Sequence, residues 1–201
     1  MKALIFDLDG TIADTFPVAL AAANKVNKKW GKPPIKDTLA LRSKGMREII
    51  KEDIKLNFFT LPFYVKAVKI EMAKNINKAK IFLGISKIIN QLAKKYKIGI
   101  VTSNSKTAVR HLTKGLNISF IHSDSSMFGK HRILNRLMKT HKLKPQNVIY
   151  VGDEVRDVEA CKKAGIRVAA VLWGYNSEKA LKRAKPDFIV SKPSDLLKIT
   201  P

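Results

Sequence analysis

The stretch Lys2-Ala3-Leu4-Ile5-Phe6-Asp7-Leu8-Asp9-Gly10-Thr11 decides how the rest of the chain is read. Its apolar run is short, does not alternate with polar residues, and ends on Asp7. A run of this kind suits a strand buried on both faces, as in a parallel sheet. Directly behind it two acids flank a single leucine, and Gly10 permits a turn. Carboxylates at the end of a buried strand are costly unless a cation pairs with them, so the pattern points to a bound metal ion.

Similar runs recur at residues 98–102, 118–122, 147–152, 167–172 and 187–190. Helical patterns separate them. Residues 84–96 place Ile85, Ile88, Ile89 and Leu92 on one face, and residues 130–142 do the same with Ile133, Leu134, Leu137 and Met138. Residues 105–115 open on Ser105 as an N-cap and close on Gly115 as a C-cap, while residues 155–164 stop at Gly165. Strands alternating with helices predict an α/β fold with a doubly wound, Rossmann-like parallel sheet. Residues 15–82 interrupt the alternation with helical segments at 15–30, about 37–57 and about 61–77 and no clear strand. The expected organisation is therefore a core of residues 1–14 and 83–201 carrying an inserted helical domain of residues 15–82.

Polar residues collect just after the strand ends, the edge where open parallel sheets bind ligands. Besides Asp7 and Asp9, Thr102-Ser103-Asn104 follows the second run, offering a hydroxyl and backbone N–H groups at a helix start. That arrangement suits phosphate oxygens, although it is also the ordinary way to cap a helix. Lys130 follows Gly129, and Gly152-Asp153-Glu154-Val155-Arg156-Asp157 follows the run at 147–152. Hard carboxylate oxygens of this kind suit Mg²⁺.

These four motifs, in this order and spacing, resemble the haloacid dehalogenase-like hydrolase superfamily, and most closely its phosphoglycolate phosphatase-like and β-phosphoglucomutase-like members. Residues 6–15 (FDLDGTIADT) correspond to the first motif, 100–104 (IVTSN) to the second, 128–130 (FGK) to the third and 150–166 (YVGDEVRDVEACKKAGI) to the fourth. The stretches 171–177 and 186–197 also fit the family's C-terminal pattern. The resemblance implies a Mg²⁺-dependent phosphatase. Asp7 would be the nucleophile and Asp9 the general acid and base, with Asp7, Asp153 and the Asp9 backbone carbonyl holding the metal. Thr102 and Lys130 would hold the phosphoryl oxygens, helped by the segment Leu8–Gly10 and by Ser103 and Asn104. Glu154 and Asp157 would stand behind these groups, Asp157 orienting Lys130 or a metal-bound water. The sequence departs from the family in having His131 rather than proline after Lys130, and Glu154 where a small residue is common. The insert would be a cap over the site, with Lys44 and Arg47 reaching a second anionic group of the substrate.

The substrate expected on these grounds is a small phosphorylated metabolite. A phosphosugar mutase using the same nucleophile is the alternative within the fold. The 39 lysines and arginines against 16 acids, a net charge of +23, make nucleic acid, including polynucleotide ends, a second candidate partner. The basic residues are spread along the chain without interleaved aromatics, which speaks against a dedicated nucleic-acid module. One cysteine excludes an internal disulfide framework, and neither a signal peptide nor a membrane span is expected, so a cytoplasmic location is. Trp30, Phe58, Phe59, Phe63 and Tyr64 are expected to form the core of the insert, Trp173–Tyr175 to pack the loop after the fifth strand, and the four histidines to hold no metal.

Overall fold

The computed structural model describes residues 2–43, 56–57, 59–123 and 129–201. All six predicted runs form strands of one parallel sheet: β1 (Ala3–Asp7), β4 (Lys97–Thr102), β5 (Phe120–Ser123), β6 (Val148–Gly152), β7 (Arg167–Val171) and β8 (Phe188–Val190), in the order β5-β4-β1-β6-β7-β8. The first strand is central, pairing with β4 on one side and β6 on the other. All five of its residues are buried, which is why its sequence shows no polar alternation.

The period-two geometry of the strands divides the core. Leu4, Phe6, Ile98, Ile100, Ile149 and Val151 pack on one face with Ile85, Ile88, Ile89 and Leu92 of α4 (Ile85–Leu92) and with α5 (Lys106–Leu112). Ala3, Ile5, Val101, Val148, Tyr150 and Val168 pack on the other face with α6 (Lys130–Thr140) and α7 (Val155–Ala164). Helices on both faces make the sheet doubly wound, as expected. Ser105 caps α5 by accepting from Ala108 N at 3.2 Å, and Gly165 ends α7 at φ 68°. Gly115 is not the cap of α5, because that helix ends at Leu112 and Gly115 turns the chain three residues later. A further short helix, α8 (Glu178–Ala184), escaped the sequence reading; its seven lysine-rich residues carry little apolar periodicity.

Between β1 and α4 the chain leaves and returns through a two-stranded antiparallel hairpin, β2 (Ala13–Asp14) and β3 (Lys80–Ile81). No strand was expected inside residues 15–82, but two residues are too few for a sequence signal. Among the described residues, three α-helices lie between them: α1 (Phe16–Lys29), α2 (Thr38–Ser43) and α3 (Leu61–Ala73). The expected helix at about 37–57 is represented by α2, and most of its remainder lies outside the described residues. The expected helix at about 61–77 ends at Ala73, with a 3-10 turn at Ile76–Lys78.

In the insert, Tyr64 is buried, donates to Asn27 Oδ1 at 2.7 Å and meets Trp30 edge-on. Phe59 and Phe63 were expected in this core but are 79% and 68% exposed, and Phe58 lies outside the described residues. The aromatic content of 59–64 therefore reflects one anchor, Tyr64, flanked by two rings on the outer side. Among the described residues no helix is long and apolar enough to cross a membrane.

Gly99 faces Phe120 across the β4–β5 pair, and a Cβ there would collide with the ring. Phe120 is itself stacked on His141 at 3.9 Å, which limits its retreat. Gly99→Ala is expected to cost about 1–3 kcal/mol of stability through overpacking, read as a lower urea midpoint with an unchanged slope.

Candidate active site

The parallel register aligns the ends of β1, β4 and β6: Asp7 lies beside Val101, and Phe6 beside Val151. The polar residues that follow these three strands thus meet at one edge. Asp7 is buried; its Oδ1 accepts from Leu8 N at 2.8 Å and its Oδ2 from Lys130 Nζ at 2.8 Å. Lys130 opens α6 after Gly129, whose φ of 101° turns the chain into the helix. His131, in place of the family's proline, sits in the first helical turn and does not prevent α6 from starting at Lys130.

The Lys130 ammonium also donates to Asp157 Oδ1 at 2.5 Å and to the Tyr150 hydroxyl at 2.9 Å. Its three donors are thereby engaged inside the site. Asp153 has no exposure and accepts from Thr11 Oγ1 through Oδ1 and from Tyr175 N through Oδ2, both at 2.6 Å. Asp157 accepts from Glu154 N at 3.1 Å, one half of the capping box that starts α7. Glu154 supplies the other half and pairs with Arg156 at 2.5 Å. Asp153 is therefore the acid of this pair that joins the buried cluster.

Asp7, Asp153 and Asp157 each place an oxygen within 4.8 Å of the others. Three buried carboxylates are poorly compensated by the Lys130 ammonium and the weaker pull of Arg156, which is paired with Glu154. Burial pushes Asp7 up to about 7, with Lys130 pulling it down and Asp157 and Asp9 adding to the rise. Burial likewise raises Asp153 well above the usual carboxylate range, reinforced by Glu154, Asp157 and Asp7. Burial opposes the charge of Lys130, but Asp157 and Asp7 outweigh it and its pKa is raised. Close-packed hard oxygens that resist ionising without a further cation are a donor set that fits Mg²⁺. Glycines make the cradle: a Cβ at Gly10 would strike the Asp153 carboxylate and the Tyr175 ring, and one at Gly152 would strike Asp157.

Asp9 stands apart from this cluster. It is half-buried, and both its oxygens accept from Asn104 Nδ2, at 2.9 and 2.7 Å. Thr102 Oγ1 lies 3.5 Å from Asp9 Oδ2 and accepts from Asn104 N at 3.1 Å. Asp7, Asp9, Thr102, Lys130, Asp153 and Asp157 are thus brought to one edge, as the motifs led us to expect. Leu8 N, expected to meet a phosphoryl oxygen, donates to Asp7 here. Ser103 flanks Thr102 and is half-buried. Lys44 and Arg47 lie outside the described residues. Sequence reasoning missed Tyr150, which reads as one more apolar strand residue, and the hold of Tyr175 on Asp153.

The sequence matches the haloacid dehalogenase-like hydrolase family over residues 4–171. The chain belongs to the haloacid dehalogenase-like hydrolases. It is 32% identical to a phosphoglycolate phosphatase from Synechococcus elongatus, covering 98% of this chain and 96% of the relative. It is 26% identical to an N-acetylmuramic acid 6-phosphate phosphatase from Pseudomonas putida, covering 99% and 96%. Its fold is shared with a haloacid dehalogenase-like family hydrolase from Streptococcus pneumoniae, with a TM-score of 0.83, 24% identity, and 98% and 97% of the two chains covered. Within the haloacid dehalogenase-like hydrolases, the chain is a phosphoric monoester hydrolase.

The raised carboxyls set a pH dependence. A carboxyl whose folded pKa is raised lends stability that is complete below its unfolded value and is lost as pH climbs through the folded one. For Asp7 that window runs from 3.8 to about 7. Thermal melts should therefore show a Mg²⁺-induced rise in Tm that is small near pH 5 and grows towards about pH 8, as protons stop competing for the ligands. Asp153→Asn should largely abolish the rise.

Proposed function

We propose that the chain hydrolyses a small phosphate monoester, phosphoglycolate-like or a sugar phosphate, through an aspartyl-phosphate formed on Asp7. The observation that carries this reading is the division of two neighbouring acids into different environments. Asp7 lies on the floor of the site within the acidic cluster, while Asp9 is held outside that cluster by Asn104. Separate environments are how two carboxylates come to play different parts in one reaction.

Asp7 would attack phosphorus while Asp9 gives its proton to the departing oxygen. A water would then attack phosphorus, lose a proton to Asp9, and free the Asp7 carboxylate. Lys130 holds Asp7 in place through Oδ2. Thr102 and the backbone N–H groups at the start of α5 are suited to receive the phosphoryl oxygens. Asp7 and Asp153, with the backbone carbonyl of Asp9, would hold Mg²⁺, which supplies the positive charge that lets an anionic carboxylate meet an anionic ester. Asp157 adds a carboxylate at the cluster's edge and orients Lys130.

Residues 15–82 act in this reading as the cap, excluding water and reading the rest of the substrate. Lys44 and Arg47 are its candidates for contact with a second anionic group. The phosphatases named for phosphoglycolate and N-acetylmuramic acid 6-phosphate support a small phosphorylated metabolite as substrate. A cytoplasmic site of action fits such a substrate and the buried free thiol of Cys161.

Phosphate release from an aryl phosphate, followed by a screen of phosphorylated metabolites, tests the reading. Steady release requiring Mg²⁺ is expected, with Asp7→Asn reduced to background and Asp9→Asn slower by about 10²–10⁴-fold. Full activity in folded Asp7→Asn would exclude the aspartyl-phosphate. Phosphoryl exchange between sugars without steady release would mark a mutase instead.

A further inference from the structure

The loop Trp173–Ser177 lies outside the four motifs, yet it joins the acidic cluster to the insert. Trp173 Nε1 donates to Thr11 O at 3.0 Å, and Gly174 is close enough to Asp153 that a Cβ would overlap the carboxylate. Tyr175 N donates to Asp153 Oδ2 at 2.6 Å, while the Tyr175 hydroxyl lies 3.0 Å from Thr15 Oγ1 at the start of the insert. Asn176 is buried and reaches both sides. Its backbone N–H donates to Asp153 O at 3.3 Å, and its Oδ1 accepts from Val155 N at 2.8 Å. Its Nδ2 donates to Arg42 O at 3.3 Å, an oxygen that also accepts from Ser177 N at 2.7 Å.

The insert side of this contact is Thr38–Ser43 of α2, none of whose residues is buried. A stretch with no buried residue takes its position from its partners. Those partners are on the core. Besides the two bonds to Arg42 O, Arg183 Nη2 of α8 donates to Ser43 O at 3.1 Å. The Arg42 guanidinium lies 4.3 Å above the Phe16 ring, which meets Tyr175 edge-on at 5.2 Å.

We infer that Asn176 is a positioning residue that couples the docking of Thr38–Ser43 to the setting of Asp153, so that divalent-cation binding at the acidic cluster and seating of the insert strengthen each other. The inference rests on the metal-dependent reading above. One amide side chain grips the Asp153–Val155 turn with its oxygen and the insert with its nitrogen, and a cation that orders the turn must order the amide. Linkage makes the effect reciprocal: whatever factor the cation contributes to docking, docking returns to cation affinity.

The test is hydrogen exchange at residues 38–43 of the full chain with and without Mg²⁺, with Mg²⁺ binding measured on the same samples by calorimetry. In the wild type, Mg²⁺ should slow exchange at these residues by about fivefold or more. Asn176→Ala should lose that increment. Asn176→Asp keeps an acceptor for Val155 N but no donor for Arg42 O; it should lose the increment too, and it serves if the alanine variant does not fold. Arg183→Met removes a contact that does not pass through Asn176, so exchange should be faster throughout while the Mg²⁺ increment persists. An unchanged increment in the Asn176 variants, or none in a wild type that binds Mg²⁺, overturns the coupling alone. A wild type that does not bind Mg²⁺ overturns the metal-dependent reading and the coupling with it.

Discussion

Three carboxylates share a space of less than 5 Å where β1 and β6 end, and the Lys130 ammonium bonds two of them. Much of the architecture around β1 serves to make that arrangement tolerable. Thr11 and the backbone of Tyr175 each donate to Asp153, Glu154 N donates to Asp157, and Leu8 N donates to Asp7. Close approach of backbone is required throughout, which is why Gly10, Gly152 and Gly174 have no room for a side chain. Hydrogen bonds of this kind stabilise charge, but they do not supply it. Burial and neighbouring acids still push Asp7 and Asp153 upward, and a divalent cation is the natural remedy.

Lys130 takes on a more specific part in the structure than its motif implied. By resemblance it would hold a phosphoryl oxygen. In this geometry its donors go to Asp7, Asp157 and Tyr150. An ammonium has three donors and no more, so contact with a phosphoryl oxygen requires one of these bonds to be shared or surrendered. The bond to the neutral Tyr150 hydroxyl is the weakest of the three, since a carboxylate acceptor adds its own charge to that of the ammonium. Tyr150 thus helps to hold the ammonium beside Asp7. A phenylalanine there would fill the same space without giving Lys130 its third partner.

The sheet and its polar edge were legible because both are written in local patterns. Strands buried on two faces must be apolar throughout, and acids placed directly after them have few structural reasons to be there. What the sequence left unread was carried by contacts between distant segments. Tyr150 looks like core because its ring is fully buried among apolar side chains; its hydroxyl meets Lys130, 20 residues away. Tyr175 and Thr11 reach Asp153 across 22 and 142 positions. Phe59 and Phe63 misled for the opposite reason, since aromatic residues signal burial only on average and these two face outward on the insert.

The same distinction bears on the basic surface. Lysines and arginines outnumber acids by 23 across the chain, yet the acids that matter most are concentrated at one edge of the sheet. A basic exterior draws anions towards the molecule over a distance of about a Debye length, near 10 Å in ordinary buffers. At contact distance a phosphate ester meets carboxylates instead, and long-range attraction does nothing to offset that repulsion. Selection for phosphate esters therefore cannot be read from net charge. In the proposed reading it depends on the few groups within the site that present positive charge or N–H donors: Lys130, the amides beside Asp7 and Thr102, and the Mg²⁺ that the acidic cluster would hold.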